Sequence, residues 1–395
     1  MEYPFSPEIL DAMPEELAEL YRTVELVLLR RITERLKAAG QLNEVTVQSI
    51  RALRSHGIPL DEIKAAIAEY SGMSDKALDS LLNDVVVRNE SYYNDMITLA
   101  DVTKPDELVN ISEIQAIMKQ TADEVRNITQ SMGFLVDNGK TMLPPAKAYQ
   151  WALDKAEIEI SSGAISYNQA IADATRELAD SGLMVVDYES GHRDHVDVAV
   201  RRAAMTGITQ VCDKYTDESA EYLDSPYVEI SAHAGARDKP YPNPWSSHKD
   251  WQGKVYYQSK NGEKDPLGKY PDLVESTGYG EVDGLCGANC RHRRHVWVEG
   301  VSERTYTDKE LSNIDPPDFE YEGKTYTHYE ATQEQRRIER TIRKWKRREA
   351  AAVTDEDKLA IQTRILRLRQ TYHEFSQKAG LREQIERANV YKPKK

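Results

Sequence analysis

The chain has 395 residues, of which 40% are hydrophobic and 30% are charged, and its formal net charge is −14 at pH 7. A chain of this length is too long for a single small hydrophobic core, so we expect two or three domains in a folded, soluble protein. The acidic balance excludes a protein that coats nucleic acid indiscriminately, and three cysteines exclude a disulfide framework and favour a reducing compartment. The sequence predicts neither a transmembrane helix nor a secretory signal.

The N-terminal part of the chain is predicted to be all helical. Ser6 followed by Pro7 is typical of a helix N-cap with proline at the first helical position. Leu17, Tyr21 and Val24 recur at spacings of three and four, which predicts one apolar stripe on a long helix. Helical patterns continue over residues 45–99, 109–132 and 146–160, and a last helix ends at Gly182.

One stretch of this region, residues 58–84, has the outline of a helix, a glycine turn and a second helix. That outline is shared with helix-turn-helix DNA readers. The second helix, residues 75–83, carries one lysine and two aspartates, whereas a helix facing phosphates should be basic. We therefore favour helix packing over DNA reading for this stretch.

The pattern changes at about residue 183. Short apolar stretches at 183–188, 227–231, 254–259 and 295–299 predict strands, and loops rich in proline, glycine and asparagine separate them. A helix that begins near Val196 lies among them. The predicted fold class is α+β, with a helical N-terminal region, a small loop-rich α+β domain and long C-terminal helices. The predicted domains are residues 1–182, 183–329 and 330–395.

The C-terminal helices show the same periodicity. Ile338 and Ile342 lie on one helix, Thr354 is predicted to cap a second helix that carries Tyr372, and Gly380 is predicted to end it.

The loop before the last strand of the middle domain has the residue types of a zinc site. Thiolate and imidazole ligands suit zinc, and four of them make a closed tetrahedral site. The spacing CxxxC differs from the usual CxxC knuckle, so buried free thiols beside surface histidines are the alternative. His295 lies near the same segment, and His233 and His248 lie upstream of it. The predicted ligands of a structural zinc are His233, Cys286, Cys290 and His292.

A second interpretation of this region is enzymatic. A histidine can act as a base and an arginine can hold a phosphate or carboxylate, so His233, Arg237, Asp238 and His248 permit a nuclease or nucleotide transferase site. No nucleotide-binding, metalloprotease or hydrolase motif supports it. We therefore assign no catalytic residue and expect the histidine and arginine side chains to support the loop scaffold.

The segment QRRIERTIRKWKRR, residues 335–348, is strongly basic in an acidic chain. Such a helix offers contacts to phosphates or to an acidic partner. The predicted contact residues are Arg336, Arg337, Arg340, Arg343, Lys344, Arg347 and Arg348.

Several ordered blocks carry a resemblance. VEISAHAGAR, WQGKVY and YPDLVESTGYGEVDGLCGANCRHRR occur in this order, flanked by DYESGHRDHVDVAVRRAAMTGITQ and YEATQEQRRIERTIRKWKR. Over about residues 151–391 the chain resembles the phage minor capsid protein family of tailed phages and prophages of Gram-positive bacteria. Its role is similar to that of the Mu-F-like head morphogenesis proteins.

The resemblance implies a structural protein of the virion head, made in the bacterial host cytoplasm and acting in head assembly or DNA packaging. Its implied partners are portal and capsid proteins and packaged DNA, with no membrane and no established cofactor. The alternatives left open are a phage-encoded enzyme, either a nuclease or ADP-ribosyltransferase-like, and a DNA-binding accessory protein.

Overall fold

A computed structural model describes most of the chain, namely residues 3–40, 60–130, 135–137, 141–143, 145–161, 167–182, 184–186, 193–239, 241–259, 262–287 and 290–388. The helices of these residues are α1 Pro7–Ala12, α2 Glu15–Gly40, α3 Leu60–Leu99, α4 Ile111–Gln130, α5 Pro145–Ser161, α6 Tyr167–Ser181, α7 Val196–Tyr222, α8 His248–Trp251, α9 Leu273–Thr277, α10 Asp308–Ser312, α11 His328–Ala350, α12 Asp355–Lys378 and α13 Ile385–Ala388. The strands are β1 Val136–Asp137, β2 Met142–Leu143, β3 Met184–Val186, β4 Arg193–His195, β5 Tyr227–Ile230, β6 Val255–Tyr257, β7 Arg294–Trp297, β8 Phe319–Tyr321 and β9 Lys324–Tyr326. The predicted α+β class is confirmed.

The main core lies among the helices α2, α3, α4 and α7. The predicted stripe on α2 is buried, including Leu17, Tyr21 and Val24. α4 crosses α7 at Gly207, where a Cβ atom would lie 2.3 Å from Thr121 Oγ1. The two helices therefore pack more closely than any larger residue at this position would allow.

The helix-turn-helix outline over residues 58–84 is wrong for its described part. Residues 60–99 form the single helix α3, which runs through Gly72 without a turn, and residues 41–59 lie outside the described residues. A glycine inside a helix costs about 1 kcal/mol relative to alanine. Burial of Leu78, Leu82 and Val85 in the main core outweighs that cost, because each buried aliphatic side chain contributes roughly 2 kcal/mol.

The largest sheet of the described residues is antiparallel, with the strand order β6-β5-β7. Val228 of β5 lies opposite Tyr256 of β6 and Val296 of β7. Side chains alternate along β5, so Val228 and Ile230 join one apolar cluster while Tyr227 joins another on the opposite face. α7 packs against β7, and Thr216 donates a hydrogen bond to the backbone oxygen of Arg294 at 3.2 Å.

The C-terminal helices α11 and α12 form an antiparallel pair. Gln335 donates to Ser376 Oγ at 2.9 Å, and the Tyr372 hydroxyl donates to Glu339 at 3.0 Å. Thr354 caps α12 by accepting from the backbone of Asp357, as predicted. α11 also packs on α6 and α2, which attaches the pair to the helical core.

A buried group of charges joins distant parts of the chain. Asp11 of α1 pairs with Arg201 of α7 at 2.9 Å and with Arg387 of α13 at 2.5 Å. Arg291 lies 3.8 Å from the same carboxylate. Burial disfavours the charged carboxylate, but the guanidinium groups of Arg291, Arg387 and Arg201 outweigh burial and lower the pKa of Asp11 to about 2. The carboxylate is therefore ionised and paired at neutral pH.

The Asp11→Asn substitution should destabilise the fold by about 3 kcal/mol at pH 7, because it leaves the partly buried guanidinium groups of Arg201 and Arg387 with Glu15 as their remaining carboxylate partner. Because the pKa of Asp11 is lower in the folded than in the unfolded chain, its ionised carboxylate stabilises the fold above about pH 4. This contribution is lost as the pH falls toward 2. Chemical denaturation at pH 7 and pH 3 should show a smaller pH effect in the variant than in the wild type.

The control is Asp84→Asn, the same change in an exposed pair on α3 with Arg88. This substitution should lower the free energy of unfolding by about 0.5 kcal/mol or less. Equal losses for the two variants would contradict a stabilising role for the Asp11 group.

Candidate metal centre

The loop after α9 is held in a compact shape by contacts between backbone atoms. A Cβ atom at Gly284 would lie 2.0 Å from the backbone oxygen of Gly278. A Cβ atom at Gly287 would lie 2.5 Å from the backbone oxygens of Glu281 and Val282. Only glycine fits these two positions, because a larger side chain would overlap the backbone of the loop.

Three buried side chains from this loop and from α8 converge. His248, Cys290 and His292 each offer one ligand atom, and these atoms all lie within 4.8 Å of one another. The Cys290 sulfur lies 3.5 Å from Nδ1 of His292. Trp251 packs against the rings of both histidines, with centroid distances of 4.6 Å to His248 and 4.8 Å to His292.

Hydrogen bonds fix which ring nitrogen of each histidine carries the proton. His292 Nε2 lies 2.9 Å from Gln252 Oε1, and that oxygen also accepts from the backbone N–H of His233 at 3.0 Å. His248 Nε2 lies 3.0 Å from the backbone oxygen of Asp283. Both acceptors are oxygens, so each Nε2 donates a proton, and Nδ1 keeps the lone pair that can bind a metal.

Burial keeps these histidines neutral near pH 7. It is the largest effect on each ring and lowers the pKa of His248 to about 4 and that of His292 well below its ordinary value. Arg237 adds to the effect at His248, and the neighbouring histidines and arginines add to it at His292. A neutral imidazole is the form that binds metal ions.

Burial favours the protonated form of Cys290 when no metal is bound. Burial raises the pKa of the Cys290 thiol, while Arg293 and the backbone N–H groups of His292 and Cys286 act to lower it. The thiolate is the metal-binding form of cysteine, so an ion that binds here would displace this proton.

The other two predicted zinc ligands lie beside this group. The Cys286 sulfur lies 3.9 Å from Asp213 Oδ1 and 3.8 Å from the backbone oxygen of His292, and it is outside the group of converging atoms. The His233 ring stacks on His292 with a centroid distance of 4.6 Å, and its Nδ1 donates to the backbone oxygen of Ala234. The structure thus brings His248 to Cys290 and His292 in place of Cys286 and His233.

His248 was not among the four ligands predicted from the sequence. It lies far from Cys290 along the chain, and its own segment shows no recognisable metal-binding spacing. Its position depends on α8, which begins at His248, and on its hydrogen bond to the backbone oxygen of Asp283 in the loop. His295 points elsewhere, since its Nε2 lies 3.1 Å from the buried carboxylate of Glu229.

Two groups of the enzymatic interpretation, Arg237 and His248, meet at one backbone oxygen. His233 contacts the backbone of Ala234, and the buried Asp238 Oδ1 has no hydrogen-bond partner among the described residues. Arg237 donates to the backbone oxygen of Asp283 at 3.2 Å, the same oxygen that accepts from His248. The Asp283 carboxylate is itself held by Asn243, Trp245 and Ser246. A cavity of about 140 Å³ lies elsewhere, between α3 and the sheet, and its lining includes Tyr92, Glu229, His295 and Trp297.

Most of the basic residues on α11 are used within the chain. Arg348 binds Asp180 through two hydrogen bonds at 2.5 and 2.6 Å, and Lys344 lies 3.7 Å from the same carboxylate. Arg347 is buried and donates to the backbone oxygen of Ala179. Two more of the predicted contact residues have acidic partners, since Arg343 pairs with Asp197 and Arg337 pairs with Glu334. The last two are Arg336, which is half-buried, and Arg340, which is exposed.

None of the helices in the described part of the chain combines the length and apolar character that crossing a bilayer requires.

Comparison with known proteins gives a consistent result. A family model described as phage minor capsid protein 2 matches residues 5–377. A structural protein of Lactococcus phage LL-H is 24% identical over 354 residues, covering 88% of this chain and 81% of that protein. A structural protein of Lactococcus phage mv4 is 34% identical over 87 residues, covering 21% of this chain and 58% of that protein. No solved structure matches the chain.

Gly284→Ala should disrupt the loop that positions Cys290 and His292, because its Cβ would overlap a backbone oxygen that cannot move independently. We expect a destabilisation of about 2 kcal/mol or more in chemical denaturation. The control is Gly72→Ala, an open helical position on α3, which should stabilise the chain by up to about 1 kcal/mol. A neutral Gly284→Ala would show that the loop does not need this close contact.

Proposed function

We propose that this chain, which belongs to the phage minor capsid protein 2 family and is a structural protein of the virion, binds the portal within the phage head. There it acts in head assembly or DNA packaging. The match over residues 5–377 carries the proposal, since it includes the helical core, the sheet and the C-terminal helix pair together. The role is assigned to the whole fold rather than to one motif.

The architecture supports a role in contacting neighbours. α3 and the α11–α12 pair are long helices that present extended surfaces, and the buried charges around Asp11 fix α1, α7 and α13 to one another. A subunit that transmits load within a shell needs such internal connections, because a loosely attached element would move before it could hold a partner.

The same features favour a structural role over catalysis. His248 and Arg237 both serve the backbone of Asp283, and the Asp283 carboxylate is occupied by three donors. A catalytic constellation would instead place a base and a phosphate-binding group around an open position. We therefore propose that the protein acts by binding and not by turning over a substrate.

Mass spectrometry of purified heads tests the proposal. We expect peptides of this protein in heads, and we expect it to co-purify with the portal after nuclease treatment has removed DNA. Cross-linking should recover portal peptides attached to this chain. Absence from both empty and filled heads would overturn the structural role, and loss of the portal after nuclease treatment would overturn the direct contact.

Contact with packaged DNA is a second, narrower proposal. The outer face of α11 carries Arg340, which is exposed, and Arg336, which is half-buried, while Arg347 and Arg348 are occupied by the helical core. Arg337 is also exposed, but Glu334 of the same helix offsets its charge, so any contribution from α11 involves few charges.

The double substitution Arg336→Glu and Arg340→Glu should weaken binding of duplex DNA and reduce the slope of log K against log salt by about 2. The matched control is Lys76→Glu with Lys104→Glu, the same charge change at exposed positions elsewhere. Fluorescence anisotropy at several salt concentrations measures both. An equal effect of the two double variants would show a general charge effect, and salt-insensitive binding would contradict phosphate contact.

A further inference from the structure

We propose that His248, Cys290 and His292 bind one zinc ion in this protein through two Nδ1 atoms and one sulfur. The three side chains come from α8 and from the segment that enters β7. The proposal is independent of the portal contact, because it concerns the interior of the chain.

The distances suit a tetrahedral ion. Zinc lies about 2.0 Å from imidazole nitrogen and about 2.3 Å from thiolate sulfur, so nitrogen and sulfur ligands of one tetrahedral ion lie about 3.5 Å apart. The Cys290 sulfur and His292 Nδ1 are 3.5 Å apart. His248 completes the group, with a ring nitrogen that lies within 4.8 Å of both other ligand atoms.

The donor set selects the metal. The group contains one sulfur, two imidazoles and no carboxylate, which suits zinc and disfavours calcium and magnesium. All three residues are buried, so the ion would be shielded from competing ligands. One thiolate offsets part of the charge of the ion in a region that already contains Arg237 and Arg293.

The surrounding hydrogen bonds are those of a prepared site. Gln252 Oε1 and the backbone oxygen of Asp283 each accept from Nε2 of one histidine, which leaves the free lone pair of each ring on Nδ1. Metal-binding histidines usually donate their other N–H to a carbonyl or carboxylate in this way. Gln252 is a positioning residue in this arrangement, since it acts on the ion only through His292.

Cys286 is not one of the proposed zinc ligands. Its sulfur faces Asp213, and it is absent from the converging atoms. Water then takes the fourth position of the tetrahedron. This assignment separates the two cysteines of the loop and makes Cys286 a matched control for Cys290.

The ion would connect parts of the chain that have few regular elements. His248 lies in a helix of four residues, and Cys290 follows a loop whose shape depends on glycine. Zinc joining them would hold the loop against the sheet, which is the role of structural metals in regions with small cores.

The test uses the full chain produced in zinc-supplemented medium and dialysed before elemental analysis. We expect one zinc per chain in the wild type, Cys286→Ser and Cys212→Ser, and less than about one tenth of that in Cys290→Ser, because loss of a ligand opens the site. Gln252→Ala should still reach one zinc per chain but with an affinity about 10 to 100 times lower.

Cobalt replacement in the wild type decides the matter even if Cys290→Ser does not fold. Bound Co²⁺ should give a thiolate-to-metal charge-transfer band and the visible bands of a tetrahedral ion, and Cys286→Ser should leave both unchanged. A wild-type chain without zinc and without the charge-transfer band overturns the proposal and leaves a hydrogen bond from the Cys290 thiol to His292. Equal loss of metal in Cys286→Ser and Cys290→Ser overturns the three-residue assignment.

Discussion

The paired charges around Asp11 are the constraint on which the rest of the structure depends. One carboxylate on a helix of six residues is shared by arginines from α7, from α13 and from the segment that carries Cys290. Buried ion pairs of this kind contribute little net stability compared with apolar packing, yet removing one member is costly because the others remain charged. The group therefore specifies one arrangement of these elements and penalises the alternatives.

The candidate metal centre depends on the same segment. Cys290, Arg291, His292 and Arg293 follow one another, without regular secondary structure, directly before β7. Arg291 reaches Asp11, while Cys290 and His292 meet His248. Arg293 is buried and donates to Thr209 of α7 at 2.6 Å. This short segment connects the helical core, the sheet and the zinc-type ligands, so a displacement of any one of them would move the other two.

The spacing of apolar residues predicted the helices well, because a helix in this chain is stabilised mainly by burying its apolar stripe. α2 and the α11–α12 pair lie where their stripes and caps indicated. Residues 60–99 show the limit, since a glycine inside the pattern suggested a turn that tertiary packing overrides. The predicted strand at 183–188 is seen as β3, and its remaining residues lie outside the described residues. The predicted domain limits stay predictions, as α7 packs on both the helical core and β7.

Side-chain partners were harder to foresee than elements. The basic run on α11 has the composition of a phosphate-binding helix, but the identity of its acidic partners, such as Asp180 and Asp197, depends on distant segments. In the same way, His248 joins Cys290 only through a loop whose path is set by glycine contacts. Asp11 and Arg387 are far apart in the sequence, so during translation α1 lacks this partner until the residues of α13 have been synthesised. Contacts between such distant residues are slow to form, and α1 therefore gains this ion pair late in folding.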